Sequence, residues 1–592
     1  MSDVEHVAHA VRLRGSVRVP GDKSASHRAL MISALAPSES SITGLSAGED
    51  VAATSVILEQ LGATRHDEDG VAYMEGPKEG LHPAASDLDC GNSGTTMRLM
   101  SGIVGSIPGT HRLVGDASLS TRPMDRIATP LGLMGIDITG QNMDNADTAG
   151  YIREEVDQTA LGAPAQVGPA TGTIMPGQGV AVTGIVQLGS SLLDAQVRST
   201  NGSAGYSGTV SSALTQIETA LGEPSTDAIS GQLQSFWSAW QGVSNQPGSE
   251  APVGALLGQA NTLVQQISDA YQSVDQQWST TSADLSAKVS QLNSDASEVA
   301  QLNGQIQSTV ASGGDASELI DSRNNAVADM ATVGGATVTQ NSDGTINVSV
   351  GGSNMVNGTS ARTLEVTGST SLEGTSTSPV QLVWSDQTSG PAVNPTTGEI
   401  GGDLAMLAPA DASGNGGALA ETAAQLNTLA TNLATQVNAV SETGATSTGA
   451  TGQDFFAVES GVPAALGLSV IPTDASGVAV ANPSIGASDG SIADAISQLG
   501  TGSSSPDASW SAFVVSLGTQ TQTATQQSTL DQSAQSAAST AQQSQESVDL
   551  DQESMNLIAY QHAYEGAARV MTTLDDMLDQ LINHTGIVGL ES

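Results

Sequence analysis

Residues 259–303 contain neither glycine nor proline, in a chain of 592 residues that has 66 Gly and 21 Pro. So long a run without the two residues that most disfavour a helix interior predicts one long helix. Its apolar positions agree. Leu263, Ile267, Tyr271, Val274, Trp278, Leu285, Val289, Leu292, Val299, Leu302 and Ile306 recur mostly at steps of three, four or seven, which makes a packing seam. A second seam near the C-terminus places Leu557, Tyr560, Tyr564, Ala567, Met571, Leu574, Leu578 and Leu581 on one helix face, with Gly586 as a stop. Both stripes read as packing surfaces, not cofactor sites. Gln561, His562 and Glu565 read as solvated, because nothing near them has metal-ligand spacing.

Between the seams the period changes. ATVTQNSDGTINVSV (336–350) is two alternating runs joined by Asn-Ser-Asp-Gly, a hairpin signal, and LEVTG and VQLVWSD continue the strand character. ALAETAAQLNTLATNLATQVNAV returns to a helical pattern. Residues 440–510, rich in Gly, Ser, Thr and Ala, read as loops, short strands or partly disordered chain.

The formal charge of −44 disfavours nucleic acid and anionic membrane as partners, since phosphate surfaces bind through Lys and Arg. No run of 18 apolar residues predicts membrane insertion, and the start MSDVEHVAHA lacks the pattern of a cleaved secretory signal. The single cysteine, Cys90, reads as a buried, inert thiol. The charge is unevenly spread. Of 17 Lys and Arg, 11 lie in residues 1–140 against 17 acids, whereas the rest of the chain has six (Arg153, Arg198, Lys288, Arg323, Arg362 and Arg569) against 44 acids. Composition therefore predicts a boundary near residue 140, inside GIDITGQNMDNADTAGYIREEV (135–156).

In residues 1–140 short strand patterns (AVRLRGSVRV, SSITGL, VAYMEG) alternate with helical ones (SASHRALMISALA, EDVAATSVILEQLGA). The order then repeats through SDLDCG, NSGTTMRLMSGIVG, THRLVGD, TRPMDRIATPLGLMG and IDITG, so about two β/α units are expected in tandem. Three stretches can bind anions. In PGDKSASHRAL (20–30), Ser24 can cap a helix that carries Lys23 and Arg28 near its N-terminal end. In DCGNSGTTMRL (89–99), Gly91 and Gly94 allow close backbone approach, Asn92, Ser93 and Thr95 offer neutral hydrogen bonds, and Arg98 follows one turn later. In GDASLSTRPMDRI (115–127), Arg122 precedes Pro123, the expected helix start.

Together, in this order, these motifs resemble the N-terminal third of 5-enolpyruvylshikimate-3-phosphate synthase, 3-phosphoshikimate 1-carboxyvinyltransferase, over residues 11–140. The resemblance implies a two-domain fold of six β/α units, of which about two are present. It also implies that Lys23, Ser24 and Arg28 contact shikimate 3-phosphate and phosphoenolpyruvate, that Asn92, Gly94 and Thr95 line the phosphoenolpyruvate side, and that Arg122 binds its phosphate or carboxylate. The family's Ser-Ser-Gln stretch, catalytic Asp and later Lys and Arg cluster do not follow. Burying the anions of two substrates needs an opposing cationic wall, which six basic residues scattered over the remaining chain do not supply. The expectation is residual substrate binding at most, with no catalytic residue, cofactor or metal to assign.

Beyond residue 140, NADTAGYIREEV reads by itself as a polar turn leading to a short strand. It resembles the Asn-Thr-Pro-Gly-Tyr-Ser-Arg signature of flagellar rod, hook and hook-associated proteins, with Ala149 for Pro and Ile152 for Ser. LQSFWSAWQGVSNQP, VAQLNGQIQ, DASELIDSRNNAVADMA, GTINVSVGG, EIGGDLAML, TGQDFFAV and NLIAYQHAYEGAARVMTTLDDMLDQLIN then follow in the order shown by hook-associated protein 1, over residues 142–592. That resemblance implies a ring of subunits at the hook–filament junction and partners among hook and other axial proteins. It also implies secretion through the flagellar export apparatus, and an assembly seam at Leu557, Tyr560, Tyr564, Met571, Leu574, Leu578 and Leu581. In the family a helix just upstream of the signature pairs with the C-terminal helix; here residues 1–140 are expected to stand in its place, leaving the C-terminal helix to fray, self-associate or pack elsewhere, with export and assembly impaired and the chain retained in the cytoplasm if export fails. The expected chain is thus a chimera of several domains: an incomplete α/β segment (1–140), a helical, coiled-coil-like region (141–335), an inserted Gly/Ser/Thr-rich β domain (336–405), a helix (406–440), a variable region (441–510) and a C-terminal helical assembly domain (511–592).

Overall fold

A computed structural model describes residues 21–78, 80–105, 107, 111–121, 136–148, 150–160, 180–411, 414–486 and 488–579. The chain is mostly helical and clusters into two units. One unit comprises residues 1–146, 154–186 and 548–592, the other 147–153 and 187–547.

In the first unit, helix α1 (Lys23–Ala34) is followed by strand β1 (Ser40–Thr43), α2 (Glu49–Gln60), β2 (Thr64–Glu68) and β3 (Val71–Glu75). The three strands form an antiparallel sheet in the order β1-β3-β2, with Ile42 opposite Ala72 and Arg65 opposite Met74. A second, shorter element follows: β4 (Leu88–Asp89), α3 (Gly94–Val104) and β5 (Leu113–Val114), the two strands pairing in parallel. Leu30, Ile57, Leu58, Leu61, Met74, Leu88, Cys90 and Met100 are fully buried and form its aliphatic core. Burial, with Asp89 nearby, pushes the Cys90 thiol up to about 11, which keeps it protonated and inert. Cap assignments differ at one helix. Asp22, not Ser24, caps α1, its carboxylate accepting from the Ala25 N–H at 2.7 Å, whereas Ser93 caps α3 as its sequence suggests.

IDITG is not the strand that its alternation predicts. It opens helix α4 (Ile136–Asp144), whose Asn142 side chain both donates to the Glu154 carbonyl at 2.8 Å and accepts from the Glu154 N–H at 2.9 Å. That tertiary tie overrides the local β propensity of Ile-Asp-Ile-Thr. Glu154 begins the short strand expected after the turn, β6 (Glu154–Ala160), which pairs in a two-stranded sheet with β7 (Val180–Gln187). The strand expected at AVRLRGSVRV, the helix expected at TRPMDRIATPLGLMG, Ala149 and the stop at Gly586 lie outside the described residues.

The second unit is built on long helices. Ser190 and Gly222, the latter in the left-handed conformation, bound α5 (Ser191–Leu221). Then come α6 (Ile229–Asn245) and α7 (Glu250–Ala311). At 62 residues and a rise of about 1.5 Å each, α7 is a rod of roughly 90 Å. The seam read from the sequence is buried along it, from Leu263 and Ile267 to Val299 and Ile306, with Leu302 half-buried. Helix α8 (Ser317–Gly334) packs on the rod and ends at Gly335, also left-handed. The expected hairpin follows as β8 (Thr337–Gln340) and β9 (Ile346–Val350), extended by β10 (Ser353–Asn357) and β11 (Ser360–Ala361) into a four-stranded antiparallel sheet. Asn303 on the rod anchors it, its side chain donating to the Ile346 and Gly358 carbonyls at 2.9 and 2.7 Å.

Strands β12 (Leu364–Thr367) and β13 (Gln381–Trp384) pair next, and α9 (Gly398–Leu407) and α10 (Ala418–Ser441) return to the rod. The Gly/Ser-rich stretch is ordered where it is described. Strands β14 (Phe456–Val458) and β15 (Leu468–Val470) pair around the short helix α11 (Ala464–Gly467), and α12 (Ser491–Ser497) packs on α6. Phe455 and Phe456 join Phe236, Trp237 and Trp240 in an aromatic knot with centroids 4.8 to 6.3 Å apart. Pro506 in the first turn, with the Ser505 cap, starts α13 (Pro506–Glu546), which lies along α5. Few apolar residues hold that pair. Gln535 donates to Asn201 at 3.0 Å, Gln542 to Asp194 at 2.7 Å, and the Ser211 and Thr525 hydroxyls meet at 3.2 Å.

The last helix, α14 (Leu550–Asp579), belongs to the first unit and packs on α4. Of the outcomes expected for the C-terminal helix, fraying, self-association or packing elsewhere, the structure shows packing: the nine helical residues of α4, directly upstream of the signature turn, cover part of it.

Candidate assembly surface and anion half-site

Helices α1, α2 and α3 bring their first turns together. Lys23 forms an ion pair with Asp50 in the first turn of α2, and the Asp50 carbonyl accepts from the Thr96 hydroxyl, in the first turn of α3, at 3.1 Å. Beneath them runs a buried polar chain. The His27 Nδ1 lies 2.7 Å from the Thr54 hydroxyl, Thr54 lies 2.8 Å from the Thr96 hydroxyl, and the Thr96 and Ser93 hydroxyls lie 2.7 Å apart. Burial, reinforced by the Lys23 charge, lowers the pKa of His27 from its ordinary value, so the ring is neutral.

Converging helix starts offer N–H groups and positive dipole ends to an anion. Lys23, Ser24, Arg28 and Asn92 are exposed around them, and Gly94 and Thr95 are half-buried. Carboxylates already engage two of these: Asp50 takes Lys23, and Asp116 accepts from the Asn92 amide at 2.7 Å. Arg122 lies outside the described residues. Asp50, His27, Thr54 and Thr96 escape sequence reasoning because their partners lie 27 to 46 positions away.

On α14, Leu557 and Tyr560 of the expected seam are half-buried, while Met555 and Ile558 are exposed at 63% and 53%. Tyr564, Met571, Leu574 and Leu578 are placed on the helix but their side chains lie outside the description, as does Leu581 entirely.

In the second unit Lys288 meets three carboxylates, at 2.9 Å from Asp403, 3.3 Å from Asp284 and 3.5 Å from Glu399. Burial works against its charge, but the Asp403 hydrogen bond and the three negative charges prevail and raise its pKa. This cluster ties α7 to α9; Glu399 and Asp403 lie in the EIGGDLAML stretch, but nothing in that motif points to Lys288 as their partner. Among the described residues no group of His, Cys, Asp and Glu is arranged to hold a metal, and no helix is long and apolar enough to cross a membrane.

The long rod of the second unit and the small sheets packed on it define a predominantly helical class of fold with inserted β structure. Comparison with known families gives the particulars. The family described as flagellar hook-associated protein FlgK helical domain matches residues 214–456, and that described as flagellar basal body rod FlgEFG protein C-terminal matches 543–584. The structure of the flagellar hook junction protein FlgK from Burkholderia pseudomallei superposes with a TM-score of 0.52 at 17% identity, covering 59% of this chain and all of that one. It is a likeness of fold. The family described as EPSP synthase (3-phosphoshikimate 1-carboxyvinyltransferase) matches residues 7–158, reaching past the compositional boundary near 140.

Enzymes of that name from Zymomonas mobilis and Koribacter versatilis are 55% identical over 125 residues and 50% over 133, spanning 21% and 22% of this chain and 28% and 31% of theirs. The chain spans about a third of the length of the curated relatives it matches. It is similar to two families in different segments: flagellar hook-associated and rod domains at 214–456 and 543–584, preceded by a carboxyvinyltransferase fragment at 7–158.

Proposed function

We propose that this protein is a structural component of the flagellum at the hook–filament junction, secreted through the flagellar export apparatus, and that it self-associates in a ring with hook and other hook-associated proteins as neighbours. The observation that carries this is the helical unit, whose match over residues 214–456 is followed by a second flagellar match at 543–584. The assembly surface is α14, with Leu557, Tyr560, Tyr564, Met571, Leu574 and Leu578 as the seam that neighbouring subunits cover, Leu581 of the same sequence pattern lying outside the described residues. The domain divisions near 140, 335, 405, 440 and 510 separate this work: helices for stacking, sheets facing outward. Electron microscopy of the purified chain mixed with purified hook subunits tests it. Rings or hook caps are expected, and Tyr560→Asp abolishes them; a chain that stays monomeric and leaves hooks bare overturns the reading.

A second reading, carboxyvinyl transfer from phosphoenolpyruvate to shikimate 3-phosphate, is favoured by the three converging helix starts alone. We infer residual binding without turnover there. Lys23, Ser24, Arg28, Asn92, Gly94 and Thr95 are the candidate contacts, with Arg122, outside the described residues, added by the resemblance alone, and the cationic residues needed to neutralise the facing phosphates and carboxylates are not supplied by the six basic residues of the remaining chain. A steady-state assay with both substrates checks this: no product is expected, and turnover that disappears in Lys23→Ala overturns it.

A further inference from the structure

Three of the four covalent passages into or out of the helical unit are tied at one place. The unit takes in residues 147–153 and 187–547, so the chain crosses its border four times, before Asp147, after Arg153, before Gln187 and after Ser547. Close to these crossings sit two buried carboxylates, Asp321 on α8 and Glu546 at the end of α13, which are 7% and 5% exposed. Glu546 accepts from the Ser190 N–H through its side chain at 2.8 Å and from the Arg153 N–H through its carbonyl at 2.9 Å. The Arg153 carbonyl in turn accepts from the Leu188 N–H at 2.9 Å. Asp321 accepts from the Gln187 side chain at 2.9 Å and, more weakly, from the Ile152 N–H at 3.4 Å.

The backbone is shaped to fit. Gly150, at φ +78°, lies so close to Asn325 on α8 that a Cβ there would fall 2.2 Å from its Oδ1. A Cβ on Gly189 would stand 3.3 Å from the Ile152 side chain. The signature turn is thus seated against α8, the 187–190 segment and the end of α13.

We infer that Glu546 and Asp321 are positioning residues of a clasp that locks three of the four passages of the helical unit together, so that residues 150–153, 187–190 and 546 move as one body. A buried carboxylate taking backbone N–H donors costs more to open than an exposed bond, because opening strands both partners. Load carried along any one passage is then shared with the other two. This holds whether or not the flagellar reading does, since it concerns only the mechanics of the unit.

Amide hydrogen exchange on the full chain tests it. In Glu546→Ala the Ser190 amide is expected to exchange at least tenfold faster. The Ile152, Arg153 and Leu188 amides, whose bonds do not involve the Glu546 side chain, are expected to accelerate with it, while amides of α7 around Trp278 keep their protection. Glu546→Gln, which retains the acceptor oxygen, is expected to restore wild-type rates, and Asp321→Ala to loosen the same set from the other end. Acceleration confined to Ser190, no change at all, or equal loss of protection along α7 overturns the clasp. Should Glu546→Ala fail to fold, exchange in the unaltered chain decides: a common opening rate for the four amides supports it, and rates differing more than tenfold refute it.

Discussion

The α/β region of residues 21–119 and the helical unit of residues 187–547 solve the same problem with different materials. The first buries aliphatic side chains in a thin layer, has no Phe or Trp in its core, and places a chain of hydroxyls and one histidine under three helix starts. Its chemistry lies in short polar groups held near backbone N–H donors. The second spreads its core along a 62-residue rod, concentrates aromatic rings in one knot, and joins α13 to α5 by side-chain amides and hydroxyls. A site for a small anion needs a few groups fixed to within tenths of an ångström, whereas a surface for stacking needs periodicity over tens of ångströms. The two designs fail differently when one residue is changed.

The largest contrast is expected from core truncation. Trp240 is fully buried in the aromatic knot, and Trp240→Ala is expected to cost about 3–5 kcal/mol. Leu30→Ala, at an equally buried aliphatic site, is expected to cost about 2–5 kcal/mol. All five tryptophans, at 237, 240, 278, 384 and 510, belong to the helical unit, so fluorescence reports that unit alone. Thermal melts should show the Trp240 variant lowering the fluorescence transition, and the Leu30 variant changing only the hydrogen exchange of residues 21–119. If Leu30→Ala moves the fluorescence transition as well, the two cores are not separate and the comparison breaks.

A somewhat smaller effect is expected at Lys288. Lys288→Met leaves Asp403, buried at 2% exposure, without its cation, for a loss of about 2–4 kcal/mol. Adding Asp403→Leu should recover most of it, because an apolar pair of similar volume replaces the ion pair. Urea melts followed by fluorescence measure both. A double variant no better than the single one would show that the charge cluster, not its packing volume, holds α9 to the rod.

What the sequence discloses depends on whether the decisive partner is near in the chain. The rod is legible because its stripe and the missing glycines and prolines are local, and the hairpin at 341–344 because Asn-Ser-Asp-Gly sets its own turn. Helix α13 carries no apolar stripe to read: Trp510 and Leu517 are its large buried side chains, and amides and hydroxyls do the rest. Only Ser505-Pro506 announces it. IDITG is misread because its alternation is overridden by Asn142 and the contact with α14. In the half-site the candidate ligands Lys23, Arg28 and Asn92 are visible as motif residues, but Asp50 and Asp116, which engage Lys23 and Asn92, come from other turns of the fold. Lys288 was countable as a rare cation, yet Asp403 lies 115 positions away.

The smallest expected effects are the most discriminating, because they have opposite signs in the two regions. His27 is held neutral by burial, so its folded pKa lies below 6.5 and the folded state binds fewer protons than the unfolded one. Stability from this group is complete above pH 6.5 and is lost as pH falls below it, with a slope no steeper than about 1.4 kcal/mol per pH unit, the limit for one proton. Asp295 on α7 is the reverse. Burial, with Asp329 and Glu298 nearby, pushes its carboxyl up to about 6, and its Oδ2 is buried without a hydrogen-bond donor. The folded state there binds more protons, so stability is present near pH 4 and declines as pH rises toward 6, leaving the charged form at a disadvantage at pH 7. Asp295→Asn is therefore expected to stabilise the helical unit by about 0.5 kcal/mol at pH 7, a value discounted for the solvent that still reaches the group, and by nothing at pH 4. Acidification from pH 7 to 5.5 should lower the protection factors around α1, each taken against the free-chain exchange rate at the same pH, while slightly raising the fluorescence midpoint contributed by Asp295, measured as the difference between the unaltered chain and Asp295→Asn. If that difference is flat between pH 4 and 7, the raised carboxyl is not where the structure puts it, and the contrast between a region loosened by acid and a rod relieved by it would not stand.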